Sequence, residues 1–98
     1  MQNYKSAWIY EYKEDKIVVC SSINSKAVLY INGRKVDEVD TLMQKAIVLE
    51  GFTDDNTRVT AVLTENNGEI ESRVYSCGLE AITRLDGVTE ANILGIIQ

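Results

Sequence analysis

The chain has 98 residues, of which 45% are apolar and 26% charged, a size and composition that indicate one globular domain spanning residues 1–98. Its formal net charge is −5. Residues 1–35 hold six basic and three acidic residues, whereas residues 36–98 hold four basic and twelve acidic ones. Because nucleic-acid binding depends on a basic surface, this balance argues against a nucleic-acid partner. A local basic patch remains an alternative, formed by Lys13, Lys16, Lys26, Arg34 and Lys35.

Membrane insertion and secretion are not indicated either. The N-terminal residues are interrupted by charge, and no window approaches the length of a membrane span. We therefore expect a cytoplasmic protein without a membrane partner.

Cys20 and Cys77 lack the spacing of a metal site, so both are expected to be buried thiols. A disulfide between them is the alternative, which an oxidising compartment would require.

Alternation of apolar and polar residues with a period of two predicts strands through most of the chain. The first predicted strand is SAWIYEY, residues 6–12, with Trp8, Tyr10 and Tyr12 on one face and Ala7 and Ile9 on the other. The segment KEDK, residues 13–16, is typical of a turn. KIVVCSS, residues 16–22, then forms the second strand.

The Asn32-Gly33 pair predicts a hairpin with a two-residue type I′ turn, because both central positions need a positive φ. Counting outward from the turn places Leu29 opposite Val36 and Ile31 opposite Arg34. The residues predicted to face the core are Ala27, Leu29, Ile31 and Val36, and those predicted to turn outward are Val28, Tyr30, Lys35 and Asp37.

A second hairpin is predicted about Asn67-Gly68. A turn at this pair places apolar residues on one face of the hairpin and polar residues on the other, as expected of a correct register. The apolar face holds Val59, Ala61, Leu63, Ile70 and Val74, and the opposite face holds Thr60, Thr64, Glu71 and Arg73.

Further elements complete an all-β chain. QKAIVLEGF, residues 44–52, is a predicted strand in which Gly51 marks a bulge or a close approach, and TDDNT, residues 53–57, is a turn. GLEAITRL, residues 78–85, is a strand that Asp86-Gly87 is expected to end. We expect an antiparallel sandwich or partly closed barrel of about seven or eight strands.

The tail VTEANILGIIQ, residues 88–98, has two interpretations. Thr89 is a candidate cap for a short helix that carries Ala91, Leu94 and Ile97. Gly95 weakens that helix, so the same residues are equally compatible with an added edge strand.

The absence of histidine removes the usual general base and most zinc chemistry. Acidic pairs such as Asp54-Asp55 fall on predicted turns, and calcium binding at TDDNT lacks the spacing of an EF-hand loop. The Asn-Gly turns are not followed by helices, so no phosphate-binding loop is indicated. We expect neither an enzyme nor a cofactor.

The run DKIVVCSSINSKAVLYINGRKVDE, followed by VLEGF, resembles the Fas apoptotic inhibitory molecule family over residues 15–52. That family has a Lys-Ile strand, a Ser-Gly-Lys-type turn, an Asp/Asn-Gly-Lys hairpin and a Leu-x-Gly strand. Asp15 stands where the family usually has His, Ser25-Lys26 lacks the intervening Gly, and YSCGLEAI replaces the closing apolar-Asn-Gly-Lys run. The resemblance implies a non-enzymatic sandwich that acts through protein contacts, and it transfers no site residue.

Three functional hypotheses follow. The first is protein contact, including self-association through unprotected strand edges, since the chain has no proline. Its candidate surface comprises Val28, Tyr30, Val62, Ile93, Leu94, Ile96 and Ile97. The second is a small-ligand carrier with a cavity near Trp8, Tyr10 and Tyr12. The third is an acidic inhibitor that mimics nucleic acid, motivated by the charge of residues 36–98.

Overall fold

The computed structural model describes residues 3–12, 14–22, 26–40, 46–66, 69–74 and 83–97. These form eight strands and one helix. In chain order they are β1 (Asn3–Tyr12), β2 (Asp15–Ser22), β3 (Lys26–Ile31), β4 (Arg34–Asp40), β5 (Ala46–Phe52), β6 (Arg58–Asn66), β7 (Glu69–Val74), β8 (Thr83–Thr89) and α1 (Glu90–Ile97).

The strands form two antiparallel sheets, which confirms the predicted all-β sandwich. The large sheet has the order β4-β3-β2-β1-β8, and the small sheet has the order β5-β6-β7. Their facing sides enclose the inner core, to which all of the strands from β1 to β7 contribute. The buried members of the inner core are Trp8, Tyr10, Ile17, Val19, Ala27, Leu29, Ile31, Ile47, Leu49, Val59, Ala61, Leu63 and Val74.

The predicted turn between β3 and β4 is confirmed, since Asn32 and Gly33 have φ angles of 51° and 83°. The pairing of Ile31 with Arg34 is also confirmed. The pairing of Leu29 with Val36 is wrong, because a bulge shifts the register and places Asp37 opposite Leu29.

The bulge joins the large sheet to the small one at the β4 and β5 edges. Val36 packs on Gly51, where a Cβ atom would lie 2.6 Å from Val36 Cγ2. The neighbouring Asp37 carboxylate accepts a 2.9 Å hydrogen bond from the Glu50 amide. Two consecutive residues of β4 therefore contact β5, and Gly51 serves the close approach predicted for it.

The second hairpin has the predicted register, with Ala61 opposite Val74 and Thr64 opposite Glu71. Its Asn67-Gly68 turn lies outside the described residues. The predicted end of β8 at Asp86-Gly87 is wrong. Gly87 adopts a φ of 64°, which glycine tolerates, and the strand continues with Val88 opposite Tyr4.

The tail is a helix, as in the first of its two interpretations. Thr89 Oγ1 accepts a 3.2 Å hydrogen bond from the Asn92 amide, and Asn92 Oδ1 accepts a 3.1 Å bond from the Thr89 amide. This reciprocal pair is a capping box with Asn in the place of the usual Glu. The predicted helix face is wrong in part, because Ala91 is exposed and Ile93 is buried.

A second cluster, the helix-side core, lies on the side of the large sheet that faces away from the small sheet. It consists of Tyr4, Ala7, Val18, Cys20, Val28, Tyr30 and Ile93, with Ile9 packed against it. The predicted outward exposure of Val28 and Tyr30 is wrong, since both side chains are at most 1% exposed. The physical reason is that α1 packs on this face through Ile93.

Replacement of Gly51 by Ala is expected to lower the free energy of unfolding by about 1–3 kcal/mol, because the new methyl group overlaps Val36. Chemical denaturation measures the difference. In Gly95→Ala the methyl group meets no atom within 4 Å, and this matched helix control should gain up to about 1 kcal/mol. A Gly51→Ala variant as stable as the original protein would contradict the close approach.

Candidate functional site

The predicted ligand-contacting aromatics belong to the inner core. Trp8 is 5% exposed, and the Tyr10 hydroxyl lies 2.7 Å from Ser72 Oγ of β7, across the two sheets. Burial raises the pKa of the Tyr10 phenol, and the hydrogen bond with Ser72 opposes that change. These two side chains are packing residues of the sandwich. The side chain of Tyr12 lies outside the described part of the structure.

The predicted contact surface is divided by the structure. Val28, Tyr30 and Ile93 pack together in the helix-side core, where the Tyr4 and Tyr30 hydroxyl oxygens share a 2.5 Å hydrogen bond. Their rings meet edge to face with centroids 6.2 Å apart. Val62 alone of the described members lies on an outer surface. The side chains of Leu94, Ile96 and Ile97 lie outside the described part of the structure.

Val62 belongs to the outer face of the small sheet. Val62 lies between Val48 and Arg73, while Phe52 lies opposite Arg58. Val48 and Phe52 are 53% and 54% exposed, and they are the exposed large hydrophobic residues of the described chain. The residues of this face are Ala46, Val48, Glu50, Phe52, Arg58, Thr60, Val62, Thr64, Glu71 and Arg73.

The sequence interpretation missed Val48 and Phe52. A usable signal was present, because the segment AIVLEGF alternates between buried and exposed positions along β5. Ile47 and Leu49 are buried, which assigns Val48 and Phe52 to the opposite face. The described charges on this face balance, with Glu50 bound to Arg58 in an ion pair and with Glu71 and Arg73 on β7.

An acidic end of the sandwich forms where three turns meet. Asn32 bonds to β2 through Asp15 and the Lys16 backbone, and Arg34 reaches Asp54 at 2.8 Å. A depression of about 450 Å³ at this end is lined by Glu14, Asp15, Asp54 and Asp55. Within the described residues, no group of three or more acidic or cysteine side chains is arranged to hold a metal ion.

The TDDNT segment is a turn, as predicted. Asp55 Oδ1 accepts hydrogen bonds from the Thr53 and Thr57 hydroxyls, and the Thr53 amide donates to the Thr57 carbonyl at 3.0 Å. Asn56 closes the turn with a φ of 66°, in the left-handed region that Asn tolerates better than most residues. The Asp55 carboxylate is therefore engaged in building the turn.

The basic side chains near the β3-β4 hairpin form ion pairs with acidic neighbours. Lys35 and Lys26 both bind Glu38, at 3.2 and 3.3 Å, and Arg34 binds Asp54. Hydrogen bonds from Lys35 and Lys26 hold the pKa of Glu38 below its usual range. Three members of the alternative basic patch thus contact carboxylates on the surface.

Cys20 is a free, buried thiol on β2, as predicted, and Cys77 lies outside the described residues. Burial raises the pKa of the Cys20 thiol to about 12. A nucleophilic cysteine needs a lowered pKa and access to solvent, and Cys20 has neither. It is a packing residue of the helix-side core.

No protein-family model, no curated protein and no solved structure matches this chain. The resemblance of residues 15–52 to the Fas apoptotic inhibitory molecule family therefore stays a prediction. No helix of the described residues is long and apolar enough to span a membrane.

Trp8 fluorescence is expected to be blue-shifted and weakly quenched by acrylamide, because the indole lies in the inner core. Trp8 is the single tryptophan, so the spectrum reports one environment. Small apolar or sugar ligands should leave the emission unchanged. A red-shifted, readily quenched spectrum that responds to a ligand would instead support the carrier hypothesis.

In a Cys77→Ser variant, Cys20 should resist a thiol reagent at pH 8 in the native protein and react after denaturation. The folded thiol keeps its proton to about pH 12, whereas an unfolded one ionises near 8.5. Its contribution to the free energy of unfolding is therefore complete below about pH 8.5 and is lost as the pH rises toward 12. Fast native labelling would contradict this environment.

Proposed function

We propose that this protein is a small non-catalytic binding protein that acts through protein contacts at the outer face of the small sheet. The supporting observation is the exposure of Val48 and Phe52, 53% and 54%, on one face of β5, with Val62 opposite Val48. Large side chains that stay exposed together on one sheet face are typical of contact sites. A cytoplasmic location is part of the proposal, and the free thiol of Cys20 fits a reducing compartment.

The chemistry of the face indicates the kind of partner that fits it. Val48 and Val62 form a cross-strand apolar pair at the centre, and charges of both signs lie around them. Glu50 and Arg58 are paired beside Phe52, while Glu71 and Arg73 lie on β7. A partner with an apolar centre and charges of both signs at its rim would match this arrangement.

The two other hypotheses receive less support. A carrier would need Trp8 and Tyr10 to line a cavity, and both pack in the inner core. An acidic mimic finds some support in the four carboxylates of the acidic end. Asp54 there is paired with Arg34, and Asp15 accepts a hydrogen bond from Asn32, so part of that charge is engaged within the chain.

A Val48→Ser/Phe52→Ser double variant tests the proposed contact face. Both side chains are more than half exposed, so each substitution should change stability by less than about 0.5 kcal/mol. Cross-linking in source-cell extract, followed by quantitative mass spectrometry, should show selective loss of bound proteins in this variant. The physical reason is the loss of the apolar centre of the face.

The control is Ala46→Ser/Thr64→Ser, an exposed cross-strand pair on the same face, at the end of β5 farthest from Phe52. It should retain the bound proteins at the original level. Equal capture by the original protein and by the Val48→Ser/Phe52→Ser variant would refute the assignment of function to this face.

A further inference from the structure

The four edges of the two sheets that the described strands form differ in how well they are protected against pairing with another chain. Unpaired strand edges attract other strands unless bulges, charges or neighbouring elements block them. β4 carries a bulge at Val36 and a highly charged sequence, and β8 contains Gly87 with a positive φ. β5 lies against β4 through Asp37 and the Glu50 amide.

β7 carries the charges of Glu69, Glu71 and Arg73 but no bulge. Its register with β6 continues from Glu69 to Val74 without a shift, so the strand is regular. Within the described part of the chain, β6 lies on one side of β7 and no strand lies on the other. In an antiparallel pair, alternate residues direct their N–H and C=O groups away from the partner strand, toward that open edge.

The sequence of β7, EIESRV, is complementary to itself when two copies run antiparallel about Ser72. In this register Glu71 lies opposite Arg73 of the second copy, and Arg73 lies opposite Glu71 of that copy. Ile70 likewise lies opposite Val74 in both directions. Opposite charges and apolar pairs directly across two strands are the stabilising combinations in sheets.

The faces of β7 agree with this register. Glu71 and Arg73 are exposed on the outer face of the small sheet, where no ion pair links them within the described chain. Ile70 and Val74 are on the opposite face and pack on the inner core. Pairing would therefore form two ion pairs on the outside and would continue the inner core across the two copies.

We propose that two copies of this chain associate through antiparallel pairing of their β7 strands, centred on Ser72. The two small sheets then become one continuous six-stranded sheet. The side chain of Ser72 keeps its bond with Tyr10, because that bond is directed into the inner core. The chain has no proline, and β7 has no lysine, so neither of these common edge-blocking residues opposes the pairing.

Pairing would also enlarge the proposed contact face, a consequence that rests on the proposed function. Three strands spaced about 4.8 Å apart and seven residues long present roughly 340 Å² of projected sheet area. A standard protein interface buries about 800 Å² on each partner. Two joined small sheets double the face that is available to a partner and bring it closer to the size of a standard interface.

Charge exchange at β7 tests the pairing in the intact protein. Light scattering over a concentration series should give the original protein a mass approaching twice the 11.0 kDa of one chain. Glu71→Arg or Arg73→Glu alone replaces both attractive pairs with repulsive ones and should weaken the dimer about tenfold or more. The Glu71→Arg/Arg73→Glu double variant restores opposite charges and should regain the dimer.

Two controls separate this inference from the proposed contact face. Lys5→Glu makes the same change of charge as Arg73→Glu at an exposed residue of β1 and should leave the dimer intact. Val48→Ser/Phe52→Ser should also keep the dimer, even when it loses bound proteins. A single-chain mass at every concentration up to about 1 mM, or single charge variants that dimerise as well as the original protein, would overturn the pairing through β7.

Discussion

The central strands of the large sheet are buried on both faces, and the rest of the molecule is arranged around that constraint. These strands, KIVVC and KAVLYI, are apolar at consecutive positions, so each strand must bury two sides. The small sheet covers one side and encloses the inner core. On the other side, Ile93 of α1 packs with Val28 and Tyr30. The C-terminal helix thus contributes Ile93 to the core on this second side.

The small sheet, in contrast, is amphipathic, with one face toward the inner core and the other toward solvent. β5 alternates strictly between buried and exposed residues, as expected of a sheet with one face toward water. Val48 and Phe52 are exceptions to a polar outer face, and β7 carries the charges beside them. The bulge that seats Val36 on Gly51 closes the sandwich at the β4 and β5 edge and leaves β7 at the opposite edge of the small sheet. The proposed contact face and the regular edge strand β7 therefore both belong to the small sheet.

Local chemistry allowed much of the fold to be predicted. Asn32-Gly33 specifies its turn because both residues accept a positive φ, and the register of β6 with β7 follows from the alternation of apolar residues. The bulge at Val36 was not predictable, since it depends on the small sheet packing against β4. The burial of Val28 and Tyr30 was missed for a related reason. Their cover, Ile93, lies more than sixty positions away in a tail whose sequence suited a helix and a strand equally.

The central claim is that α1 is an integral part of the fold because Ile93 completes the helix-side core. The free energy of unfolding of an Ile93→Ala variant tests this claim most directly. Ile93 is fully buried, so the variant should lose about 2–5 kcal/mol, whereas Ala91→Ser, on the exposed side of the same helix, should change stability by less than about 0.5 kcal/mol. An Ile93→Ala variant as stable as the original protein would contradict the account.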